Sequence, residues 1–104
     1  VILQPNKLSY CKNIYWVFGI VIKKNNKNNI KEIIKKLTSN NIGTRPFFWP
    51  MHKQDAFKKK GYFKNINLPN SEFISKNGFY LPSGLGLTLK ELKFIKDTVL
   101  SVLK

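Results

Sequence analysis

The longest apolar run of the chain predicts a buried strand. The nine residues from Ile14 to Ile22, IYWVFGIVI, are rich in β-branched and aromatic side chains and are bounded by polar residues at both ends. A half-exposed strand would alternate apolar and polar positions, so this run indicates a strand that is buried on both faces. The sequence KNNKNN at 24–29 then predicts a polar turn.

Two amphipathic helices are predicted from apolar positions that recur at helical spacing. The first spans 30–40, with apolar residues at positions 30, 33, 34 and 37 and with Asn29 placed to cap its start. The second begins with a capping box formed by Thr88 and Glu91 and runs to about Leu103. Its apolar stripe consists of Leu89, Leu92, Ile95, Val99 and Val102.

The remaining segments give weaker signals for short elements. An extended segment at 43–48, which its prolines confine to a sheet edge or an irregular run, precedes a helical turn at 54–60, a short helix at 70–76 and a short strand at 79–82. The predicted fold class is therefore α/β, an α+β small domain with a small, mainly antiparallel sheet covered on one face by amphipathic helices. The other face of the buried strand then requires a partner: another domain, another subunit or a missing part of the same polypeptide.

Length and charge restrict the possible function classes. The 104 residues form one domain, and an apolar run of nine residues is far short of the roughly 20 that a membrane helix needs. The formal charge of +14 suggests nucleic-acid binding, but 18 of the 19 cations are Lys, whereas specific readers of bases and phosphates rely on Arg. We interpret the lysines as a solvated surface. A stand-alone basic domain that binds nucleic acid or another polyanion is the alternative function.

The chain offers few groups for catalysis. It has five acidic residues, one His and one Cys, so neither a carboxylate pair nor a metal-ligand cluster is visible, and we predict no catalytic residue and no metal site. Glu32, Glu72 and Glu91 fall in predicted first helical turns, where carboxylates stabilise free amide groups. The single Cys11 and the lack of a leader pattern at the start favour a cytoplasmic protein.

One stretch, GTRPFFWPMH at 43–52, concentrates the unusual residues. It contains the only Arg, the only Met and the only His of the chain, and one of its two Trp. In one interpretation it is a buried connection, in which the aromatic rings are core, Arg45 pairs with an acid and His52 bonds a backbone carbonyl. In the other it is the rigid aromatic wall of a ligand site. Arg45 would then engage a phosphate or carboxylate, and His52 or Gln54 would bond hydroxyl groups.

Several motifs resemble, in order and spacing, the C-terminal region of the DegT-type sugar aminotransferases, pyridoxal-phosphate enzymes, and perosamine synthetases in particular. They are YWVFGIVI, TRPFFWPMH-x-Q, SE-x-x-S-x-x-G-x-x-LPS and the LT-x-x-E cap, and the resemblance covers about residues 10–104. One position departs from the pattern, because Asp55 stands where the family commonly has Pro after Gln54. We expect a local change in that turn and no loss of fold.

The resemblance implies that the chain is the small C-terminal domain of an enzyme with the aspartate-aminotransferase fold (fold type I). In that family a large N-terminal domain carries the lysine that forms an aldimine with pyridoxal phosphate, together with most of the cofactor phosphate site. None of the 18 lysines lies in a segment resembling that lysine motif. The chain, a single domain over 1–104 that starts at Val1 and not at Met, is therefore expected to be a C-terminal fragment of a longer aminotransferase and inactive alone.

The resemblance also implies an activity and partners. The expected reaction transfers an amino group from glutamate to a keto nucleotide-sugar, as in perosamine-type amino sugar synthesis for a surface polysaccharide. The expected partners are the missing N-terminal large domain, the two substrates and a second copy in a homodimer, with no membrane partner. A truncated remnant with only a structural or dimer-forming role is a further alternative.

The same resemblance places the 43–52 stretch near the entrance of the nucleotide-sugar site. Arg45 is expected to face a polar group or a phosphate, and His52 and Gln54 are expected to support the loop or to bond substrate hydroxyls. The aromatic wall is assigned to Phe47, Phe48 and Trp49. The cofactor-binding residues, the nucleotide and the sugar are left open.

Overall fold

A computed structural model describes residues 1–23 and 29–104 of the chain, so the predicted polar turn lies outside the described residues except for Asn29. The strands are β1 (Ile2–Leu3), β2 (Lys7–Leu8), β3 (Cys11–Lys12), β4 (Phe18–Val21), β5 (Arg45–Pro46) and β6 (Gly78–Leu81). The helices are α1 (Ile30–Ser39), a 3-10 turn (Met51–Lys53), α2 (Asp55–Lys59), α3 (Pro69–Asn77) and α4 (Leu89–Val102).

The main sheet has four strands in the order β1, β4, β6, β5, and each neighbouring pair is antiparallel. In its centre Ile20 pairs with Phe79 and Gly19 pairs with Tyr80. β2 and β3 form a separate antiparallel hairpin. The predicted small antiparallel sheet is therefore confirmed.

Local capping explains where the two long helices begin and end. The side chain of Asn29 accepts the N–H of Lys31 at the start of α1. At its end the N–H of Asn41 donates to the Thr38 carbonyl and that of Ile42 to the Leu37 carbonyl, the pattern of a Schellman motif, with Asn41 at φ 59°. The predicted capping box of Thr88 and Glu91 begins α4. Both predicted helices are confirmed.

The hydrophobic core lies between the sheet and the helices α1 and α4. β4 and β6 contribute Phe79 and other alternate side chains on one sheet face, and α1 contributes Ile33 and Leu37, both almost fully buried. The complete core cluster is Ile20, Ile22, Ile33, Leu37, Ile42, Phe79, Leu81 and Val99. The predicted arrangement of amphipathic helices on one face of the sheet is thus confirmed, although Leu89, the first residue of the α4 stripe, is 85% exposed.

The predicted strand over 14–22 is wrong in its first half. Ile14 and Trp16 are 87% and 74% exposed, and strand pairing starts only at Phe18. The cause is local, because the Asn13 side chain accepts the N–H of Tyr15 at 2.8 Å and Tyr15 adopts φ 49°. Such a turn around an asparagine side chain breaks an extended backbone whatever the hydrophobicity of the residues that follow it.

The second face of the sheet is covered in part by this chain itself. The Phe47 ring lies over Gly19 of β4 and Gly78 of β6, and α3 packs beside it. Beside this contact an open apolar groove of about 510 Å³ runs between β1 and α3. α3 starts at Pro69, one residue before the predicted start, and none of the helices among residues 1–23 and 29–104 has the length and hydropathy that crossing a bilayer requires.

Candidate functional site

The 43–54 loop, which contains every sequence-predicted site residue, connects α1 to α2. It begins as the edge strand β5, where Arg45 pairs with Tyr80 and Pro46 with Phe79. Pro46 and Pro50 favour extended backbone before the 3-10 turn at Met51–Lys53. The prediction left a sheet edge and an irregular run open for 43–48, and the structure places Arg45–Pro46 in an edge strand.

Phe47 anchors the first half of this loop. Its ring is half-buried and its centroid lies 4.4 Å from that of Tyr80. A Cβ added at Gly19 would come within 2.7 Å of the ring, and one added at Gly78 would come closer still. Phe47 therefore occupies space that only glycine leaves open, and the loop is fixed to the sheet at this point.

Phe48 and Trp49 follow this anchor and present their rings to solvent. They are 70% and 61% exposed. The Phe48 centroid lies 5.8 Å from that of Tyr80, and the Trp49 indole Nε1–H donates to the Lys53 carbonyl at 3.1 Å. Both rings are therefore oriented by contacts within the molecule while most of their surface is available for contact.

Arg45 lies in the edge strand β5, where it pairs with Tyr80. It is exposed, and within the described part of the chain it forms no ion pair with an acid. Together with Thr44, Tyr80 and Ser83 it lines an open depression of about 670 Å³. The acid pair of the first interpretation is therefore not formed among the described residues, and the guanidinium is available there for a phosphate or a carboxylate.

His52 fixes the second half of the loop. It is only 7% exposed, and its Nε2 lies 3.0 Å from Oε1 of Glu72 on α3. The Lys53 Nζ lies 3.1 Å from the same oxygen. The hydrogen bond from His52, followed by that from Lys53, holds the pKa of the Glu72 carboxyl below its usual range. An ionised carboxylate only accepts hydrogen bonds, so Nε2 carries the proton and donates it.

This geometry corrects the expected partner of His52, which is a carboxylate and not a backbone carbonyl. It also corrects the role of Glu72, which we predicted as a charge that stabilises its own helix terminus. The carboxylate instead binds the side chains of His52 and Lys53, which lie 20 and 19 residues earlier in the sequence.

Gln54 ends the loop through its backbone. Its N–H donates to the Met51 carbonyl, and its own carbonyl accepts the N–H groups of Phe57 and Lys58. It therefore joins the 3-10 turn to α2, and Asp55 is the first residue of that helix. The side chain is half-buried and makes no cap hydrogen bond.

The six predicted residues thus have different surroundings. Arg45, Phe48 and Trp49 are exposed, Phe47 and His52 are anchors, and Gln54 is a backbone junction. Sequence analysis missed Glu72, Gly78 and Tyr80, which hold the loop in place. The only signal that pointed to these positions was the motif SE-x-x-S-x-x-G-x-x-LPS, which contains Glu72 and Gly78.

Comparisons with known proteins give a family match and two similar folds. The model of the DegT/DnrJ/EryC1/StrS aminotransferase family matches residues 2–100. Among solved structures, the chain is similar to PseC of Helicobacter pylori, an aminotransferase involved in the biosynthesis of pseudoaminic acid, with TM-score 0.72, 18% identity and coverage of 84% of this chain and 23% of that chain.

A second solved structure is that of Escherichia coli GDP-4-keto-6-deoxy-D-mannose-3-dehydratase with bound hydrated PLP. The TM-score is 0.69 at 21% identity, and the match covers 99% of this chain and 25% of that chain. These likenesses confirm the fold. The chain spans about a quarter of the length of the solved structures that it matches.

Proposed function

The chain belongs to the DegT/DnrJ/EryC1/StrS aminotransferase family, and on that basis we propose that it is the C-terminal small domain of a pyridoxal-phosphate enzyme that aminates a keto nucleotide-sugar. The amino donor is glutamate, which becomes 2-oxoglutarate, and the product is a perosamine-type amino sugar. The observation that carries the proposal is the family match over residues 2–100, which includes the whole 43–54 loop.

Pyridoxal phosphate requires a lysine amine, a carboxylate and phosphate donors at one place. The residues described in this chain do not fit that requirement, because their carboxylates are already engaged or solvated. Glu72 binds His52 and Lys53, Glu91 caps α4, and Asp97 lies beside Lys96 on the helix surface. We therefore assign the cofactor site mainly to a large N-terminal domain, and we expect the 104-residue chain to be inactive by itself.

The 43–54 loop is the part of this domain that we assign to the nucleotide-sugar. Exposed aromatic rings and an arginine without an acidic partner suit a nucleotide, which offers a flat base and a negatively charged diphosphate. Phe48 and Trp49 would contact flat or apolar parts of the substrate, and Arg45 would bind a phosphate. Phe47, His52 and Gln54 support the loop from behind.

Exposed apolar surface supports the proposal of further partners. α4 carries Leu89, Leu92, Phe94 and Leu100 in exposed positions, and an apolar groove of about 370 Å³ lies between this helix and the sheet. Apolar surface of this extent is typical of an interface with another domain or subunit. We propose that the large domain and a second copy in a homodimer cover it.

The test is an assay of the full-length polypeptide that the gene encodes. Supplied with pyridoxal phosphate, glutamate and a panel of 4-keto-6-deoxy sugars linked to GDP, UDP or dTDP, it should form an amino sugar nucleotide detectable by mass spectrometry. The 104-residue chain should form none under the same conditions. Amination by the short chain, or failure of the full-length protein with every keto-sugar of the panel, would overturn the proposal.

A further inference from the structure

We propose that Glu72 is a positioning residue for the 43–54 loop, acting through His52 and Lys53 on the exposed ring of Trp49. This inference rests on the proposed function, because the loop is taken as the substrate-facing part of the domain. Glu72 lies outside the loop, on α3, and its carboxylate contacts His52 and Lys53, neither of which we assign to direct substrate contact.

A single carboxylate oxygen joins two elements of the fold. Oε1 of Glu72 lies 3.0 Å from Nε2 of His52 and 3.1 Å from Nζ of Lys53, and both of these residues belong to the 3-10 turn. Two charge-assisted contacts to one atom fix both the distance and the rotation of the turn relative to α3.

His52 is enclosed by the protein, and Glu72 supplies the acceptor for its Nε2–H. The imidazole side chain is 5% exposed and that of Glu72 is 36% exposed, so removal of the carboxylate leaves a donor that only water entering the vacated site could satisfy. His52 should therefore rotate towards that water, and its rotation should displace the backbone of the turn that carries it.

A hydrogen bond connects that turn to the exposed ring of Trp49. The carbonyl of Lys53 accepts the indole Nε1–H of Trp49 at 3.1 Å, and the N–H of Lys53 donates to the Pro50 carbonyl at 2.9 Å. A displaced turn therefore shifts the acceptor that orients the Trp49 ring. Phe47 keeps the other end of the loop on the sheet, so the change is confined to the segment from Phe48 to Lys53.

The chain offers clear signals for testing this sequence of effects. His52 is its only histidine, so the imidazole nitrogen resonances of the labelled 104-residue chain belong to that residue alone. Trp49 and Trp16 are its only tryptophans, and the exposed Trp16 ring lies outside the loop and serves as the internal reference. The variants are Glu72→Ala, Glu72→Gln and the matched control Glu32→Ala, which removes an exposed carboxylate from the first turn of α1.

In the wild type the imidazole should be protonated at Nε2. Glu72→Ala should change the His52 nitrogen shifts and the Trp49 indole signal and leave Trp16 unchanged, and Glu32→Ala should change none of them. Glu72→Gln keeps an acceptor for His52 and loses the charge that binds Lys53, so it should give an intermediate result. Unchanged His52 and Trp49 signals in Glu72→Ala would overturn the inference.

The functional part is tested on the full-length polypeptide by calorimetric titration with GDP, UDP and dTDP. Loss of preorganisation in the loop should lower the affinity for the nucleotide that the wild type binds by about tenfold in Glu72→Ala, with no change in Glu32→Ala. If the wild type binds and Glu72→Ala binds equally well, this inference fails while the proposed function stands. If the wild type binds none of the three nucleotides, the proposed function fails and this inference fails with it.

Discussion

Different kinds of side chain pack on the two faces of the main sheet. On the helix-covered face, Ile20 and Phe79 pack against Ile33 and Leu37 in a continuous aliphatic and aromatic core. On the opposite face the corresponding strand positions include Gly19, Gly78 and Tyr80, and one ring, Phe47, fills the space above the glycines. The first face removes much apolar area from water, whereas the second places one loop in a defined position.

Stability and loop position therefore depend on different faces of the sheet. Burial of apolar area scales with stability, so the helix-covered face should dominate the free energy of unfolding. The loop face instead depends on fit at a few contacts, and it leaves Phe48 and Trp49 largely exposed. Substitutions on the two faces should therefore differ in the size of their effect and also in its spatial extent.

The largest expected effect is on the helix-covered face. Leu37→Ala removes a side chain with 0% exposure and should lower the free energy of unfolding by about 2–5 kcal/mol, because a cavity remains in a packed core. Urea denaturation followed by circular dichroism measures this. Leu100→Ala makes the same chemical change at an exposed position of α4 and should cost far less. Equal losses in the two variants would contradict the core described here.

The next effect is on the loop face. Gly78→Ala would place a Cβ against the Phe47 ring and within 2.7 Å of the Ile74 carbonyl oxygen, so it should cost about 1–3 kcal/mol and displace the loop. Gly43→Ala is the matched control, because nothing lies within 4 Å of the added atom. Urea denaturation and the His52 and Trp49 resonances measure stability and loop position.

Gly19→Ala tests the same ring at a position where the nearest atoms belong to side chains. The added Cβ would lie 2.7 Å from Phe47 Cζ, and shortening that side chain with Phe47→Leu should restore most of the lost stability. The same second substitution should not restore Gly78→Ala, since a backbone carbonyl is also in contact there. Rescue of neither variant would show that the ring is not the element that fills this face, and rescue of both would show that the Ile74 carbonyl does not limit the space at Gly78.

A smaller effect is expected at the start of α4, away from the contact between the loop and the sheet. The Thr88 hydroxyl oxygen accepts the N–H of Glu91 at 3.3 Å, and Thr88→Ala should cost about 1 kcal/mol. Ser101→Ala, at an exposed position of the same helix, should be nearly neutral. The loop resonances should not move in either variant, and a shift in them would mean that α4 and the loop are coupled.

The elements that could be predicted from sequence are those whose causes are local. The spacing of Ile33 and Leu37 and the cap residues Asn29 and Thr88 lie within a few positions of the structure that they determine, and α1 and α4 agree with them. The strand over 14–22 was mispredicted because the turn at Asn13 and Tyr15 overrides hydrophobicity. The extended segment at 43–48 was predicted from its prolines, which left a sheet edge and an irregular run both open.

What could not be predicted are contacts between residues distant in sequence. Glu72 and Glu91 are both acids in a first helical turn; the capping box with Thr88 identifies Glu91 as a cap, but nothing near Glu72 in the sequence indicates that it binds another element. The need for glycine at position 78 likewise comes from Phe47, whose ring lies above it and which is distant in sequence. The split of the aromatic residues into one anchor and two exposed rings depends on strand register, which the sequence leaves undetermined.

The smallest expected effect separates these two glutamates by pH. Both carboxyls have a pKa below the usual range, Glu72 through His52 and Lys53 and Glu91 through the backbone and hydroxyl groups of Thr88. A lowered folded pKa means that each contact stabilises the fold above the unfolded pKa of about 4.3 and that this contribution is lost as the pH falls through the folded value. Acidification below about pH 4 should therefore weaken both contacts.

The consequences of acidification should appear in different places. As the pH falls, protonation of Glu72 should shift the His52 and Trp49 resonances, and protonation of Glu91 should shift the Thr88 amide. In Glu72→Gln the acid-induced shift at Trp49 should disappear while that at Thr88 persists, and in Glu91→Gln the pattern should be reversed. A common shift of all these signals at one pH would instead indicate global acid unfolding. In that case the loop would have no stability of its own to lose, and the two carboxylates would act on one cooperative unit.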